Sequence, residues 1–300
     1  MHKIWGDNMI KLLIGGSPCT YWSIAKKNGR ETEASGMGWE LFKNYLIAKQ
    51  KFNPDFFLYE NNESAAQAIK DQISKELGVP LMYINSALVS AQNRQRFYAF
   101  NWKVEPPEDR GVSFQDIKDT DYEYCKQFRV NRTPSRDFMW GNGVSGKCKN
   151  VTFADKTPTV TTKQDRWNNA GLVQFDDYCR FLTTHELELL QTMPQGYTDG
   201  IPRRQQEKCI GNGWTAEVII HILNGALKDV PRDEQIVVLS MYDGIGTGRY
   251  CLDKMGFTNV KYFAYEIDKY AKQVAMSNYP DIIQMGDAFD LRHPDWVIEY

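Results

Sequence analysis

The sequence is short of most features that would assign a protein of 300 residues to a specialised class. It has no apolar run of membrane-spanning length. The longest, such as Ile236–Leu239 and Met9–Ile14, fall far below the roughly 20 residues that a transmembrane helix needs. Its opening, Met1-His2-Lys3-Ile4-Trp5-Gly6-Asp7-Asn8, lacks the basic and apolar regions of a signal peptide, so the expected compartment is cytoplasmic, with no membrane partner. Its six cysteines (Cys19, Cys125, Cys148, Cys179, Cys209, Cys251) contain no Cys-x-x-Cys pair. That spacing argues against a cysteine metal centre, so no metal is expected, and against a disulfide framework. Reduced thiols are expected, with any thiol chemistry resting on one residue. The net charge of −2 gives no overall preference for nucleic acid, and no internal repeat or low-complexity tract is present.

What the sequence does have is an ordinary globular balance, 42% apolar and 25% charged residues, in a chain long enough for a large core. Both ends alternate between strands and helices. Met9–Ile14, Asp55–Tyr59, Leu81–Val89 and Arg96–Phe100 read as strands. Trp39–Phe52 and a segment capped by Ser64 and stopped at Gly78 read as helices. Thr183 and Glu186 form a capping box, and Trp214–Leu227 carries a helical apolar stripe. The end of the chain reads Ile236–Tyr242 (strand), Thr247–Met255 (helix), Lys261–Glu266 (strand) and Asp268–Asn278 (helix). This alternation predicts an α/β fold with a doubly wound, mostly parallel sheet. From Val104 to about Pro158 the pattern dissolves into Pro, Gly, Asp and Asn clusters, the mark of a smaller irregular domain. The expected division is therefore 1–103, 104–200 and 201–300. Charge gathers in the middle, with nine Lys/Arg against three Asp/Glu from Lys126 to Arg166 and aromatics within or beside it, including Phe138, Trp140 and Trp167. Such a stretch suits either a phosphate-facing surface or a solvated loop.

Four constellations carry chemistry. Asp243-Gly244-Ile245-Gly246-Thr247-Gly248 follows a strand and opens a helix, where glycines allow a tight turn and close backbone approach to a ligand. Glu266, about twenty residues on, ends the next strand where a carboxylate can accept from ribose hydroxyls. Asp287 sits in Gly286-Asp287-Ala288, where a further strand end would place it against an adenine amino group. Gly15-Gly16-Ser17-Pro18-Cys19-Thr20 puts a cysteine on a loop after a strand, and only its thiolate is a good nucleophile. The usual fate of a free cysteine is a small buried hydrophobe. Tyr59-Glu60-Asn61 places a carboxyl group on the same rim, able to bond or protonate a substrate nitrogen. In Gln92-Asn93-Arg94-Gln95-Arg96, two arginines share a side if the segment is extended.

As a set, these residues resemble the cytosine-5 DNA methyltransferase family. Cys19 in Gly-Gly-Ser-Pro-Cys, Glu60-Asn61 and Gln92-x-Arg94-x-Arg96 are similar to its catalytic motifs. Tyr242-Asp243-Gly244-x-Gly246, Glu266 and Asp287 are similar to its cofactor motifs. Arg180-Phe181-Leu182-Thr183-x-x-Glu186 with Gln191-x-Met193-Pro194, and Gly211-Asn212-Gly213-Trp214, look like its later motifs. Several details look most like the animal de novo branch. The order differs from the family's usual one, because the catalytic motifs precede the cofactor motifs; the resemblance implies a circular permutation joined through roughly Asn224–Gln235. Departures from the pattern are Thr20 after the cysteine, Asn62 after Glu60-Asn61, and Tyr242 where a phenylalanine is usual.

The resemblance implies S-adenosyl-L-methionine as cofactor, held by Tyr242, Asp243, Gly244, Ile245, Gly246, Thr247, Glu266, Ile267, Asp287, Ala288, Asn212, Trp214 and Pro18. It implies attack of Cys19 on carbon 6 of a flipped-out cytosine in double-stranded DNA. Glu60 would engage the ring nitrogen and amine, and Arg94 and Arg96 the base oxygen and Glu60. Ser23, Gln92, Thr162 and Lys163 would face DNA, and Ile24–Trp39 has the composition of a lid over the site. The alternatives are the same chemistry on transfer RNA, whose Cys-Phe-Thr signature is absent from Val104–Met193, or a non-catalytic DNA-binding relative.

Overall fold

The computed structural model describes residues 9–26, 28–131, 144–145, 148–165, 169–175 and 178–300, the side chains of 144, 145, 148 and 175 excepted. In chain order its strands are β1 (Ile10–Gly15), β2 (Phe56–Asn62), β3 (Leu81–Asn85), β4 (Gln95–Phe100), β5 (Val144–Ser145), β6 (Cys148–Lys149), β7 (Leu172–Phe175), β8 (Tyr178–Phe181), β9 (Ile236–Met241), β10 (Val260–Tyr265) and β11 (Ile283–Gly286). The chain divides into two compact units. The first comprises 1–84, 95–106 and 220–300; the second comprises 85–94 and 107–219.

The first unit is built on a seven-stranded sheet ordered β11-β10-β9-β1-β2-β4-β3. β11, β10, β9, β1 and β2 pair in parallel, while β4 runs antiparallel to β2. β9 is buried along its whole length, as expected for a strand covered on both faces. The helix Gly36–Phe52 buries Trp39, Phe42, Tyr45, Ala48 and Phe52 along one stripe. It ends at Asn53, which adopts the left-handed conformation at φ 47°. The helix Gln67–Leu77 buries Ile69, Ile73 and Leu77 and stops at Gly78, whose φ is 72°.

Some boundaries differ from expectation, each for a local reason. Ser64 does not cap the helix that starts at Gln67. Its hydroxyl donates to Asn62 Oδ1 at 2.6 Å and accepts from Ile24 N at 3.3 Å, tying the end of β2 to the loop after Cys19. The strand from Leu81 ends at Asn85 rather than Val89, because the Asn85 side chain accepts from Ala87 N (3.0 Å) and Arg94 N (2.9 Å) and turns the chain. β2 runs beyond Tyr59 to Asn62, so Glu60 and Asn61 lie within a strand and project to opposite faces.

The second unit contains two small antiparallel sheets, β5-β6 and β7-β8. Its core gathers Phe114, Val151, Val160, Val173, Leu182, Leu187, Leu190 and Ile210. The capping box at Thr183 and Glu186 forms as expected and opens the helix Thr184–Leu190. Glu186 also takes a bidentate ion pair from Arg180, both bonds 2.8 Å long and both side chains fully buried. This unit begins at Asn85–Arg94 and runs on to Ile219, so its limits differ from a 104–200 region. The additions are joined to it by backbone: Asn93 N donates to Thr157 O and Thr157 N to Ala91 O. Much of the basic stretch, including Phe138, Trp140 and Trp167, lies outside the described residues. Among the described residues no helix is long and apolar enough to cross a membrane.

Candidate active site

The strand order reverses direction between β9 and β1. From β9 the chain proceeds to β10 and β11 on one side; from β1 it proceeds to β2 on the other. Such a switch point opens a crevice at the carboxyl ends of the strands, the usual ligand position in parallel α/β sheets. Two loops of the first unit meet this place, Gly15–Cys19 after β1 and Tyr242–Gly246 after β9.

Gly15 and Gly16 allow the first loop to leave the sheet. A β-carbon on Gly15 would lie 2.5 Å from Met241 O, and one on Gly16 would lie 2.5 Å from Glu60 O and 3.1 Å from Glu60 Oε2. No side chain fits either gap. Ser17 is buried and shares a 2.7 Å hydrogen bond with the Tyr59 hydroxyl. The Asn61 amide, also buried, donates to Ser17 O at 2.9 Å and to the Tyr59 hydroxyl at 3.0 Å. This network fixes the chain two residues before Cys19.

Cys19 opens a short 3-10 turn, Cys19–Tyr21, and its carbonyl accepts from Trp22 N (3.0 Å) and Ser23 N (2.9 Å). It is half-buried, whereas Cys125, Cys179, Cys209 and Cys251 are buried. Burial pushes the Cys125 thiol up to about 11, so that group is held protonated. Cys19 is thus the accessible thiol among cysteines whose side chains are described.

Glu60 and Arg96 form an ion pair across β2 and β4, Nε to Oε1 at 3.0 Å, both side chains mostly but not wholly buried. Glu60 lies opposite Tyr98 in the register, so Arg96 reaches it along the diagonal. Arg94 does not stand beside Arg96. β4 begins at Gln95, so strand alternation does not extend to Arg94. Its buried guanidinium donates to Val160 O (2.9 Å), Gly211 O (3.1 Å) and Gly213 O (2.9 Å), all in the second unit. Gln92 is likewise fully buried there rather than at a surface. Its amide donates to Leu190 O and Gln191 Oε1, while Val160 N donates to it. Most of their partners are backbone carbonyls inside the unit.

The loop after β9 is shaped by left-handed backbone at Tyr242 (φ 60°), Gly244 (φ 66°) and Gly246 (φ 79°). The helix Thr247–Lys254 follows. A β-carbon at Gly248 would collide with Ile14 and the Tyr262 hydroxyl, so glycine lets that helix sit against the sheet. Glu266 organises the loop from the neighbouring strand. Its Oε2 accepts from Gly244 N at 2.9 Å, and its Oε1 from Ile267 N (2.8 Å) and Asp268 N (2.7 Å). Asp243 accepts from Ser240 Oγ (2.7 Å) and the Tyr262 hydroxyl (2.6 Å) on Oδ1, while its buried Oδ2 has no hydrogen-bond partner. Burial therefore pushes its carboxyl up to about 6.

Ile245 and Thr247 are buried beneath this turn, and Pro18 is exposed beside Cys19. Asp287 is exposed at the end of β11 and accepts from Phe289 N at 3.0 Å, with Ala288 buried next to it. Ile267 is 69% exposed, an apolar side chain kept in solvent at the carboxyl edge. Asn212 and Trp214 lie in the second unit, Asn212 exposed and Trp214 half-buried; Thr162 there is half-buried and Lys163 exposed. Ser23 is half-buried in the first unit and accepts from Ala25 N at 3.2 Å.

The expected lid from Ile24 to Trp39 is largely tied down. Glu31 accepts from Gly38 N and Trp22 Nε1, Arg30 donates to Trp22 O and Ser64 O, and Gly36–Trp39 is already helix. Sequence reading gave no role to Ser17, Tyr59, Ser240 and Tyr262, which hold the two candidate loops through hydroxyl groups. Ser17 within the cysteine motif was the available signal; nothing in the sequence pointed to Tyr262, which comes from a different strand.

Comparison with known proteins gives a match over part of the chain. Residues 2–131 match the family of C-5 cytosine-specific DNA methylases, a span that contains Cys19, Glu60, Arg94 and Arg96. The chain is also 22% identical over 261 residues to DNA (cytosine-5)-methyltransferase DRM2 of Arabidopsis thaliana, covering 80% of this chain and 41% of that protein. It thus spans about two-fifths of that relative's length. Its fold is similar to that of Spodoptera frugiperda DNMT2, with a TM-score of 0.50 and 16% identity over 71% of this chain and 78% of that one. The sheet with its flanking helices is that of the methyltransferase fold.

Proposed function

We propose that the chain is an S-adenosyl-L-methionine-dependent cytosine-5 methyltransferase acting on double-stranded DNA, with Cys19 as its nucleophile. The observation that carries this reading is the pairing of the accessible thiol, Cys19, with the Glu60–Arg96 pair and the glycine loop in one unit, at one switch point of one sheet.

The loop residues fit the cofactor. Glycines with positive φ keep side chains off the Tyr242–Gly246 turn, and the orphaned Asp243 Oδ2 is a buried acceptor in it. Glu266 offers a carboxylate already aimed by backbone amides, Ile267 an exposed apolar face, and Asp287 an exposed acceptor. Residues 242–247, 266–267 and 287–288 would hold it, with Pro18 beside them. When bound, S-adenosyl-L-methionine supplies an electrophilic methyl group.

Carbon 5 of cytosine is a weak nucleophile, and a duplex hides it, so the base must leave the stack. The Cys19 thiolate adds to carbon 6, forming a carbon–sulfur bond and pushing ring electrons toward carbon 5. Glu60 bonds the ring nitrogen and exocyclic amine, where negative charge gathers, and Arg96 holds Glu60 in place. After carbon 5 is methylated, its proton passes to water, which restores the double bond and expels the Cys19 thiolate. Arg94 serves as a positioning residue for the Gly211–Gly213 turn. Phosphate contacts fall to exposed basic residues such as Lys163.

A circular permutation accounts for both the strand order and the family match. The catalytic strands β1 and β2 come first yet lie centrally, next to β9 from the far end of the chain. The match to the family ends at residue 131, before the glycine loop. The likeness to the animal de novo branch rests on the sequence motifs alone.

Incubation with tritiated S-adenosyl-L-methionine and mixed DNA and RNA is expected to label DNA at carbon 5 of cytosine. Label in RNA alone, or in adenine, would reject the reading. Bisulfite sequencing of host DNA then gives the target sequence.

A further inference from the structure

We propose that Asn44 is a positioning residue for the cofactor loop, clasping the hydroxyl of Tyr242 and linking it to the Asp287 turn. The inference rests on the proposed function only for the identity of the ligand. Tyr242 occupies φ 60°, a left-handed conformation that a bulky side chain rarely adopts without support. Where the family resemblance leads one to expect phenylalanine, the extra hydroxyl is fully engaged. It donates to Leu41 O at 2.8 Å and accepts from Asn44 Nδ2 at 3.2 Å.

Asn44 is 0% exposed, inside the helix Gly36–Phe52, which follows the Cys19 loop. Its other amide atom, Oδ1, accepts from Arg292 Nε at 2.7 Å. Arg292 closes the short turn Ala288–Arg292 that begins at Asp287, and it also donates to Glu40 O at 2.9 Å and pairs with the Glu40 carboxylate at 3.0 Å. One buried amide therefore joins three segments: the strained start of the glycine loop, the turn after Asp287, and the helix that trails the nucleophile. An asparagine suits this place because it donates with one atom and accepts with the other. A buried polar group with both partners present specifies a single arrangement, and removal of a partner leaves one atom of the Asn44 amide unsatisfied.

The test pairs Tyr242→Phe, which deletes one oxygen, with Asn44→Ala and the double variant. S-adenosylhomocysteine affinity is measured by calorimetry, and amide hydrogen exchange is followed over residues 243–248 in ligand-free protein. Each single variant is expected to weaken binding about tenfold, as loss of one hydrogen bond to a buried partner would. The double variant should fall short of the product of the two single effects, because both remove the Asn44–Tyr242 bond while each also removes one bond of its own. Exchange of the 243–248 amides should rise about tenfold while the central strands keep their protection. Affinities within twofold of the parent, multiplying effects, or faster exchange spread evenly over the sheet would overturn the proposal. If Asn44→Ala does not fold, Tyr242→Phe decides alone. If the parent chain does not bind S-adenosylhomocysteine, the functional reading fails, and the exchange measurement still judges the clasp.

Discussion

The two units each contain a carboxylate paired with an arginine, and the two pairs differ in how far they are closed off from solvent. In the second unit, Glu186 is fully buried and accepts from Arg180 Nη1 and Nη2, Thr183 N and Asp119 N, each at 2.8 Å. Four donors saturate it, so it has a structural task and little capacity for a substrate. In the first unit, Glu60 is partly open at the rim of the sheet, 12% exposed, with Arg96 on one oxygen and the Cys19 loop beside it. The same two residue types make a sealed clamp in one place and a pair at the rim of the sheet in the other.

The largest expected effects separate these roles. Cys19→Ser should abolish methyl transfer while leaving S-adenosylhomocysteine affinity intact, measured by label incorporation and calorimetry; retained turnover would mean the nucleophile is elsewhere. Glu60→Gln keeps the shape and removes the acid. It should lower turnover by about 10² to 10⁴-fold, with a smaller loss of unfolding free energy than a fully buried pair shows, since Glu60 and Arg96 keep some contact with solvent. Glu186→Gln should do the opposite. It strands the Arg180 charge in a dry interior, and breaking a buried pair from one side costs about 3–5 kcal/mol. Chemical denaturation checks this, and a stable Glu186→Gln protein with damaged catalysis would reverse the comparison.

The same contrast explains how far the sequence could be read. Cys19, Glu60 and the glycine loop were legible because each sits just beyond or near the end of a strand, and strand ends are marked by local signals: an apolar run followed by glycine or proline. The capping box at Thr183 was legible for the same reason, since cap chemistry spans only four residues. The pairing of Arg94 with Arg96 was misread because it depends on one boundary. Had β4 begun two residues earlier, alternation would have set them side by side. The clasp at Asn44 and the bond from Tyr262 to Asp243 were not readable at all. They join residues from separate elements, and only the strand order determines that those elements are neighbours. The limits of the second unit were missed likewise, because Asn85–Arg94 joins it through backbone bonds to residues some 65 positions away.

A third carboxylate sharpens the comparison with the smallest of these effects. Asp243 is half-buried as a residue with its Oδ2 out of solvent, yet it receives only the hydroxyls of Ser240 and Tyr262, both on Oδ1, and its Oδ2 has no partner. Desolvation consequently outweighs hydrogen bonding and pushes its carboxyl from the ordinary 3.8 up to about 6. The folded ligand-free protein thus holds this proton more tightly than the unfolded chain does. Its stability should fall as pH rises from about 4 to about 6 and stay level above that, by at most about 3 kcal/mol for a shift of this size. Asp243→Asn keeps an oxygen for both hydroxyls and has no charge to bury. The variant should match the parent below about pH 3.5 and exceed it at pH 7.5, read from urea midpoints at the two pH values. An equal difference at both pH values would assign the effect to packing rather than charge. A less stable variant at pH 7.5 would mean that Oδ2 is satisfied in solution, and that Asp243 belongs with Glu186 as a saturated structural carboxylate.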